Sequence, residues 1–294
     1  MIEHLKSFPE QIKEGIKLGN KLKLKKYNKI LVCGMGGSGI PGYILRDLLE
    51  IPVFISQSYD IPKFIDNNTL VFIISYSGNT EETISMYCHA QRKTNNIVII
   101  TSGGVLAEEN NVILVPSGLQ PRHALPYLFF TIWSALGNKD VKNLISLLKR
   151  FDTNKPKDLA KKAYNKIPAV YVDSIYSSIA QRWKENINED TKRLVFANVL
   201  PEMDHNEIEG DFSKTCPIVI HDENDIYRLK KRINLTAKII KANTVILKGK
   251  TKLERLFYGI YFGDYFSNYL AQMYHENPLK YRHIEKLKEL MRRR

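Results

Sequence analysis

Short runs of Val, Ile, Leu and Phe alternate with stretches of helical spacing along the first half of the chain. Lys29–Cys33, Pro52–Ile55, Leu70–Ser75, Ile97–Thr101 and Val112–Val115 read as buried strands, most of them ending at Gly, Ser or Pro. Between them, Ile40–Glu50 and Glu81–Lys93 carry a helical pattern, and the apolar Leu125–Gly137 reads as a helix at a domain or subunit contact. Strands alternating with helices predict parallel βαβ units. The pattern halts at Asp152–Lys157, a polar stretch with a proline and no periodicity, which reads as a linker. It then restarts. Pro168–Val172, Leu194–Ala197, Ile218–Ile220 and Thr244–Leu247 are strand candidates, and Lys252–Tyr274 and Arg282–Arg294 close the chain as helices. The expectation is an α/β chain of two parallel-sheet units, residues 1–151 and 152–294, with no residue-level repeat between them.

Length agrees with that division, since 294 residues at about 150 per domain make two. A composition 44% hydrophobic and 26% charged is that of a globular chain with ample core material, not of a disordered one. No segment approaches the about 18–20 apolar residues of a membrane span. The first residues, MIEHLKSFPEQIKEG, read as an amphipathic start without the apolar region of a signal peptide. Cys33, Cys88 and Cys216 are odd in number, far apart and without a CxxC pair. A disulfide framework or zinc site is therefore not expected, and a reducing cytoplasm is. The net charge of +13 suits an enzyme with an anionic substrate as well as a nucleic-acid binder. Its densest run, Arg228–Arg255, holds ten Lys/Arg and one acid and reads first as a solvated face.

Two loops carry candidate chemistry. Gly34-Met35-Gly36-Gly37-Ser38-Gly39 follows the first strand and precedes a helix, where glycines let the backbone approach an anion closely. Gly37 and Ser38 are the candidates to face a ligand. The run lacks the G-K-[ST] of a nucleotide P-loop. Phe54-Ile55-Ser56-Gln57 stands where a dinucleotide site would place an acid for the ribose. Ser75-Tyr76-Ser77-Gly78-Asn79-Thr80-Glu81-Glu82-Thr83 also follows a strand and opens a helix. Helix capping accounts for one of its hydroxyls. Three of them, Ser75, Ser77 and Thr80, with backbone N–H groups and a positive helix end, make a phosphate cradle that needs no lysine. His221-Asp222-Glu223 makes a poor metal set, because adjacent side chains diverge. Cys33 in its apolar strand reads as core.

The two loops together closely resemble the sugar isomerase (SIS) domain, which implies an αβα sandwich with Ser75, Ser77 and Thr80 on the phosphate of a phosphosugar. The second half sharpens the resemblance. Gln181-Arg182-Trp183-Lys184 leads to Asn188-Glu189-Asp190-Thr191-Lys192, and Leu200-Pro201-Glu202-Met203-Asp204-His205-Asn206-Glu207 follows. These segments resemble those of the bifunctional phosphoglucose/phosphomannose isomerase family. The resemblance implies two SIS-like αβα subdomains with C-terminal helices and the sugar phosphate bound between them. It implies Glu189 as the base, Arg122 as the cation for an enediolate, and His205, given by the partner subunit of a homodimer, as the ring-opening group. Of the neighbouring Lys280, Lys286 and Lys288, it matches Lys288, which shares a helix face with Ile284 and is expected to point inward. Asp190 stands where the family usually has Asn, and Asn277-Pro278-Leu279-Lys280 where many members have D-P-T-P. The implied reaction interconverts glucose 6-phosphate, or mannose 6-phosphate, with fructose 6-phosphate, without cofactor or metal. The rival is a non-catalytic phosphosugar sensor, which needs the hydroxyl loop but neither Glu189 nor His205. Neither a nucleic-acid nor a membrane partner is expected.

Overall fold

The structure, a computed structural model, describes residues 2–292. Two helices, α1 (Glu3–Lys6) and α2 (Phe8–Gly19), precede the first sheet. Then β1 (Lys29–Cys33), α3 (Ile40–Leu48), β2 (Val53–Ser56), β3 (Thr69–Ile74), α4 (Glu81–Gln91), β4 (Ile97–Thr101) and β5 (Val112–Leu114) alternate, followed by α5 (Leu125–Ala135), α6 (Lys142–Lys149) and α7 (Asn154–Ala163). The second unit runs β6 (Ile167–Asp173), α8 (Ser177–Thr191), β7 (Phe196–Leu200), β8 (Thr215–Asp222), α9 (Tyr227–Ile239), β9 (Asn243–Leu247), α10 (Lys252–Met273) and α11 (His283–Arg292). The sheets are ordered β2-β1-β3-β4-β5 and β7-β6-β8-β9. Every pairing in both is parallel.

Strand residues alternate between faces, so each sheet feeds two layers. Ile30 and Val32 of β1, with Val170 and Val172 of β6, enter one core that runs continuously between the two sheets. Leu31 and Cys33 enter a core on the outer face of the first sheet, and Ala169 and Tyr171 one on the outer face of the second. Helices α5, α8 and α10 fill the shared layer, and α10 is buried along most of its length. Thr251 caps α10, its Oγ1 accepting from Glu254 N at 3.2 Å. The start of α8 is capped from the other unit: Asp47 of α3 accepts from Ser178 N at 2.7 Å and from Ser177 Oγ at 2.9 Å. These two bonds tie the helix carrying Glu189 to the unit carrying the hydroxyl loop.

Three expectations shift. Asn154–Lys157 lies in α7 and not in a linker, because Pro156 falls in the first turn, where its missing N–H costs nothing. Helix α6 stands in a stretch where no element was expected. Strand β7 runs from Phe196 to Leu200 rather than over Leu194–Ala197, since pairing with β6 sets Phe196 against Ala169, and Leu194 is left 81% exposed. No helix among the described residues is long and apolar enough to cross a membrane.

Candidate active site

The two loops meet at the C-terminal ends of β1 and β3, which are adjacent, with β2 on the far side of β1. This is the place where the strand order reverses and where open α/β sheets hold ligands. Tyr76 N donates to Ser38 Oγ at 3.2 Å, tying one loop to the other. Ser75 Oγ donates to Thr80 Oγ1 at 3.0 Å, Ser77 Oγ lies 3.5 Å from the same oxygen, and Asn79 N donates to Ser77 Oγ at 3.3 Å. Ser75 is buried, Thr80 half-buried and Ser77 exposed, so the hydroxyls lead from the sheet out to solvent. Gly78 makes the turn possible. Its φ is +67°, and a Cβ there would lie 1.7 Å from Gly103 O. The hydroxyls sit at the N-terminus of α4, where unpaired N–H groups and the helix dipole favour an anion.

Gly37 connects this cradle to a cation. A Cβ on Gly37 would stand 2.9 Å from Arg122 Cα, so the glycine loop rests directly on the arginine backbone. Arg122 lies in the turn Pro121–Ala124 and is 2% exposed. Its Nε donates to Asp190 Oδ1 at 3.0 Å and its Nη1 to Glu189 Oε2 at 3.0 Å. Nη1 also donates to the Tyr281 hydroxyl, and Nη2 to the Pro278 carbonyl. Burial lowers the pKa of Arg122, but Asp190, Tyr281 and Glu189 more than offset this, and the net direction is upward. The guanidinium is thus permanently charged and fixed in orientation before any ligand arrives, which is the condition for stabilising a developing oxyanion.

A buried scaffold holds that arrangement. Arg182 pairs with Asp264 through two bonds of 3.0 Å, and its Nη2 donates to the Arg122 carbonyl at 2.7 Å. Asn186 adds a bond to Asp264, and Ser267 of α10 donates to Asp190 Oδ2. Lys192, at the left-handed end of α8 with φ +58°, donates to the Glu189 carbonyl. Asp190 therefore directs its carboxylate at Arg122 and Ser267. Sequence reading singled out none of Asp264, Ser267 and Tyr281, all brought in by tertiary packing. The hint was in α8 itself, where Arg182, Asn186 and Asp190 recur at every fourth position of a buried face.

Two expected residues stand elsewhere. His205 is exposed, in a turn beyond the C-terminal end of β7. That end is level with Asp173, just before α8 begins, and from Ser177 to Glu189 the helix climbs about 18 Å. His205 is therefore distant from the Glu189 of its own chain. The polar side chains beside it in sequence are bonded to other groups. Asp204 accepts from Thr236 and Arg232, Asn206 donates to Glu202, and Glu207 accepts from Tyr171 and Asn198. Lys288 lies on α11, which is exposed on every described face, Ile284 included at 45% exposure, so the inward face expected for it is absent.

Comparison with known proteins bears on this site. Residues 23–121 match the SIS domain family, and residues 152–291 match the bacterial phospho-glucose isomerase C-terminal SIS domain. A bifunctional phosphoglucose/phosphomannose isomerase of Caldicellulosiruptor bescii is 37% identical, with 98% of each chain covered. This chain belongs to the bifunctional phosphoglucose/phosphomannose isomerases. A D-glucosamine-6-phosphate 4-epimerase of Sulfolobus acidocaldarius is 33% identical over 79% of each chain. Among solved structures, a hypothetical protein of Thermus thermophilus shares the fold with a TM-score of 0.78 at 14% identity, covering 98% of this chain and 89% of its own. Membership of the phosphoglucose/phosphomannose isomerases makes the chain an enzyme rather than a phosphosugar-sensing regulator.

Proposed function

We propose that this chain interconverts glucose 6-phosphate and mannose 6-phosphate with fructose 6-phosphate through a common enediolate. The observation that carries the reading is the Glu189 carboxylate held 3.0 Å from a buried Arg122 that Asp190 also orients, beside a hydroxyl-lined helix end. Ser75, Ser77 and Thr80, with the N-terminus of α4, take the phosphate. Glu189 removes the C2 proton of the open-chain aldose. The C–H electron pair forms the C1–C2 double bond, and the carbonyl pair moves onto O1. Arg122 stabilises that charge, worth on the order of 3–4 kcal/mol for one well-placed donor. The O2 hydroxyl proton passes to O1, the abstracted proton returns to C1, and O2 becomes the carbonyl, which gives the ketose. Because C2 is planar in the intermediate, protonation of its two faces gives the glucose or the mannose configuration.

The reading extends to a homodimer in which the partner's His205 opens the sugar ring. The separation of His205 from the Glu189 of its own chain supports this. Lys288, on its exposed helix, belongs to the same proposal as a group that meets the site in the assembled dimer.

The test is fructose 6-phosphate formation from each aldose phosphate, with and without a chelator. Production from both, unaffected by the chelator, is expected. Inactivity on both, with epimerisation of glucosamine 6-phosphate at C4 instead, would move the chain to the reaction named for the Sulfolobus acidocaldarius relative.

A further inference from the structure

Glu185 stands one turn before Glu189 on α8, at the i, i+4 spacing that sets two side chains next to each other, about 6 Å apart at Cβ. Its Oε1 accepts from Gln181 Nε2 at 2.8 Å. Its Oε2 is buried and has no hydrogen-bond partner among the described residues. The cations of the neighbouring site are already engaged. Arg122 serves Glu189 and Asp190, Arg182 serves Asp264, and Lys192 lies on the Glu189 carbonyl and over the Tyr281 ring. Two arginines thus already serve three carboxylates, Glu189, Asp190 and Asp264, and an ionised Glu185 would be a fourth. From α3, Tyr43 interacts electrostatically with Glu185 and gives its own hydroxyl proton to Gln57 Oε1 at 2.7 Å, while Arg46 is held at Ser177. Lys184, the remaining cation near the carboxyl, is exposed on α8.

We propose that Glu185 is a positioning residue for the isomerisation: uncharged, it leaves Glu189 as the carboxylate that meets the sugar, and its ionisation sets an alkaline limit on turnover. This rests on the isomerase reading above. Burial pushes the Glu185 carboxyl up to about 7, and Glu189 adds to the rise, against the opposing pull of Gln181, Arg182 and Lys184. Below that pH the acid is neutral and adds no charge to the site. Above it, a further negative charge stands beside the developing enediolate, and one such interaction costs about tenfold in rate.

The test is the pH profile of kcat/KM for wild type and Glu185→Gln, with carboxyl titration followed by NMR on protein carrying ¹³C-labelled glutamate. Wild type should lose about tenfold between about pH 6.5 and pH 8.5. In Glu185→Gln, which stays uncharged, that loss should disappear, and Glu185→Ala should behave alike. A glutamate resonance titrating near neutrality should be present in wild type and missing from Glu185→Gln. Superimposable profiles, or no glutamate titrating there, would overturn the proposal. So would a Gln variant that melts normally yet is inactive at every pH, since that result gives Glu185 a proton-transfer role. The NMR arm does not depend on which reaction is catalysed, so failure of the isomerase reading would be seen separately, in the product assay.

Discussion

Both sheets are all-parallel and end at a strand-order reversal, between β1 and β3 in the first and between β6 and β8 in the second. Their C-terminal ends carry opposite chemistry. The first ends in glycines and hydroxyls over a helix N-terminus. The second ends in carboxylates. Asp173 caps the following turn at Ile175 N, 3.3 Å away, and Asp222 pairs with Arg255 at 2.6 Å and accepts from Tyr176 OH at 2.8 Å. Asp225 joins them, pushed up to about 6 by burial and by the charges of Asp173 and Asp222. The hydroxyls and helix N-terminus at the first end suit an anion, whereas the second end gathers three acids around Arg255. The parallel sheet supplies a position, and the loop residues decide what it is for. In this reading the second sheet gives the site α8, whose far end carries Glu189 to the first sheet, and His205, whose place is on the partner.

The largest effect should come from joining the two ends across a dimer. Glu189→Gln and His205→Ala are each expected to be inactive. Mixed under subunit exchange, they should form heterodimers with one intact site, recovering about a quarter of wild-type activity if dimers assort at random. No recovery despite demonstrated exchange would place both groups in one chain's site.

Next in size is the cradle. Ser77→Ala and Thr80→Ala each remove a hydrogen bond to a charged group, worth about 1.5–3 kcal/mol, or about ten- to a hundredfold in KM. Unchanged KM in both would break the contrast by moving the phosphate away from the first sheet.

The smallest effect is on stability at the second sheet. The folded-state pKa of Asp225 is raised to about 6 from 3.8, so the folded state binds its proton more tightly than the unfolded chain. Its contribution is fully present below about pH 3.8 and is lost as the pH rises through about 6. Asp225→Asn should therefore match wild type near pH 4 and melt higher at pH 7–8. Because Asp225 is half-exposed, screening keeps the gain under about 1 kcal/mol. Its KM should equal that of wild type. A raised KM would bring substrate to the acidic end.

Much of this contrast was legible in the chain. The hydroxyl loop announced itself because its function is local, with three side chains and a helix start within six residues. The strands were legible from their apolar runs, and their ends were misplaced only where pairing decided, as at Leu194 and Phe196. Arg122 and Glu189 were reached through resemblance, but what makes them a centre was not legible. Asp264, Ser267 and Tyr281 lie between 74 and 91 residues beyond Asp190 in sequence, and only the packing of α10 and the following segment against α8 brings them in. For Lys288, helical spacing predicts an inward face, yet the described side chains of α11 are all exposed, and periodicity alone does not say which helix faces are buried.

The central claim is that one carboxylate, Glu189, opens and closes one enediolate for both aldoses. Equilibrating fructose 6-phosphate with the enzyme in D₂O tests it most directly. Wild type should place deuterium at C2 of both the glucose and the mannose 6-phosphate formed, whereas Glu189→Gln should slow both products together by about 10²–10⁴-fold with little change in KM. Near-wild-type formation of either product by Glu189→Gln would contradict the account.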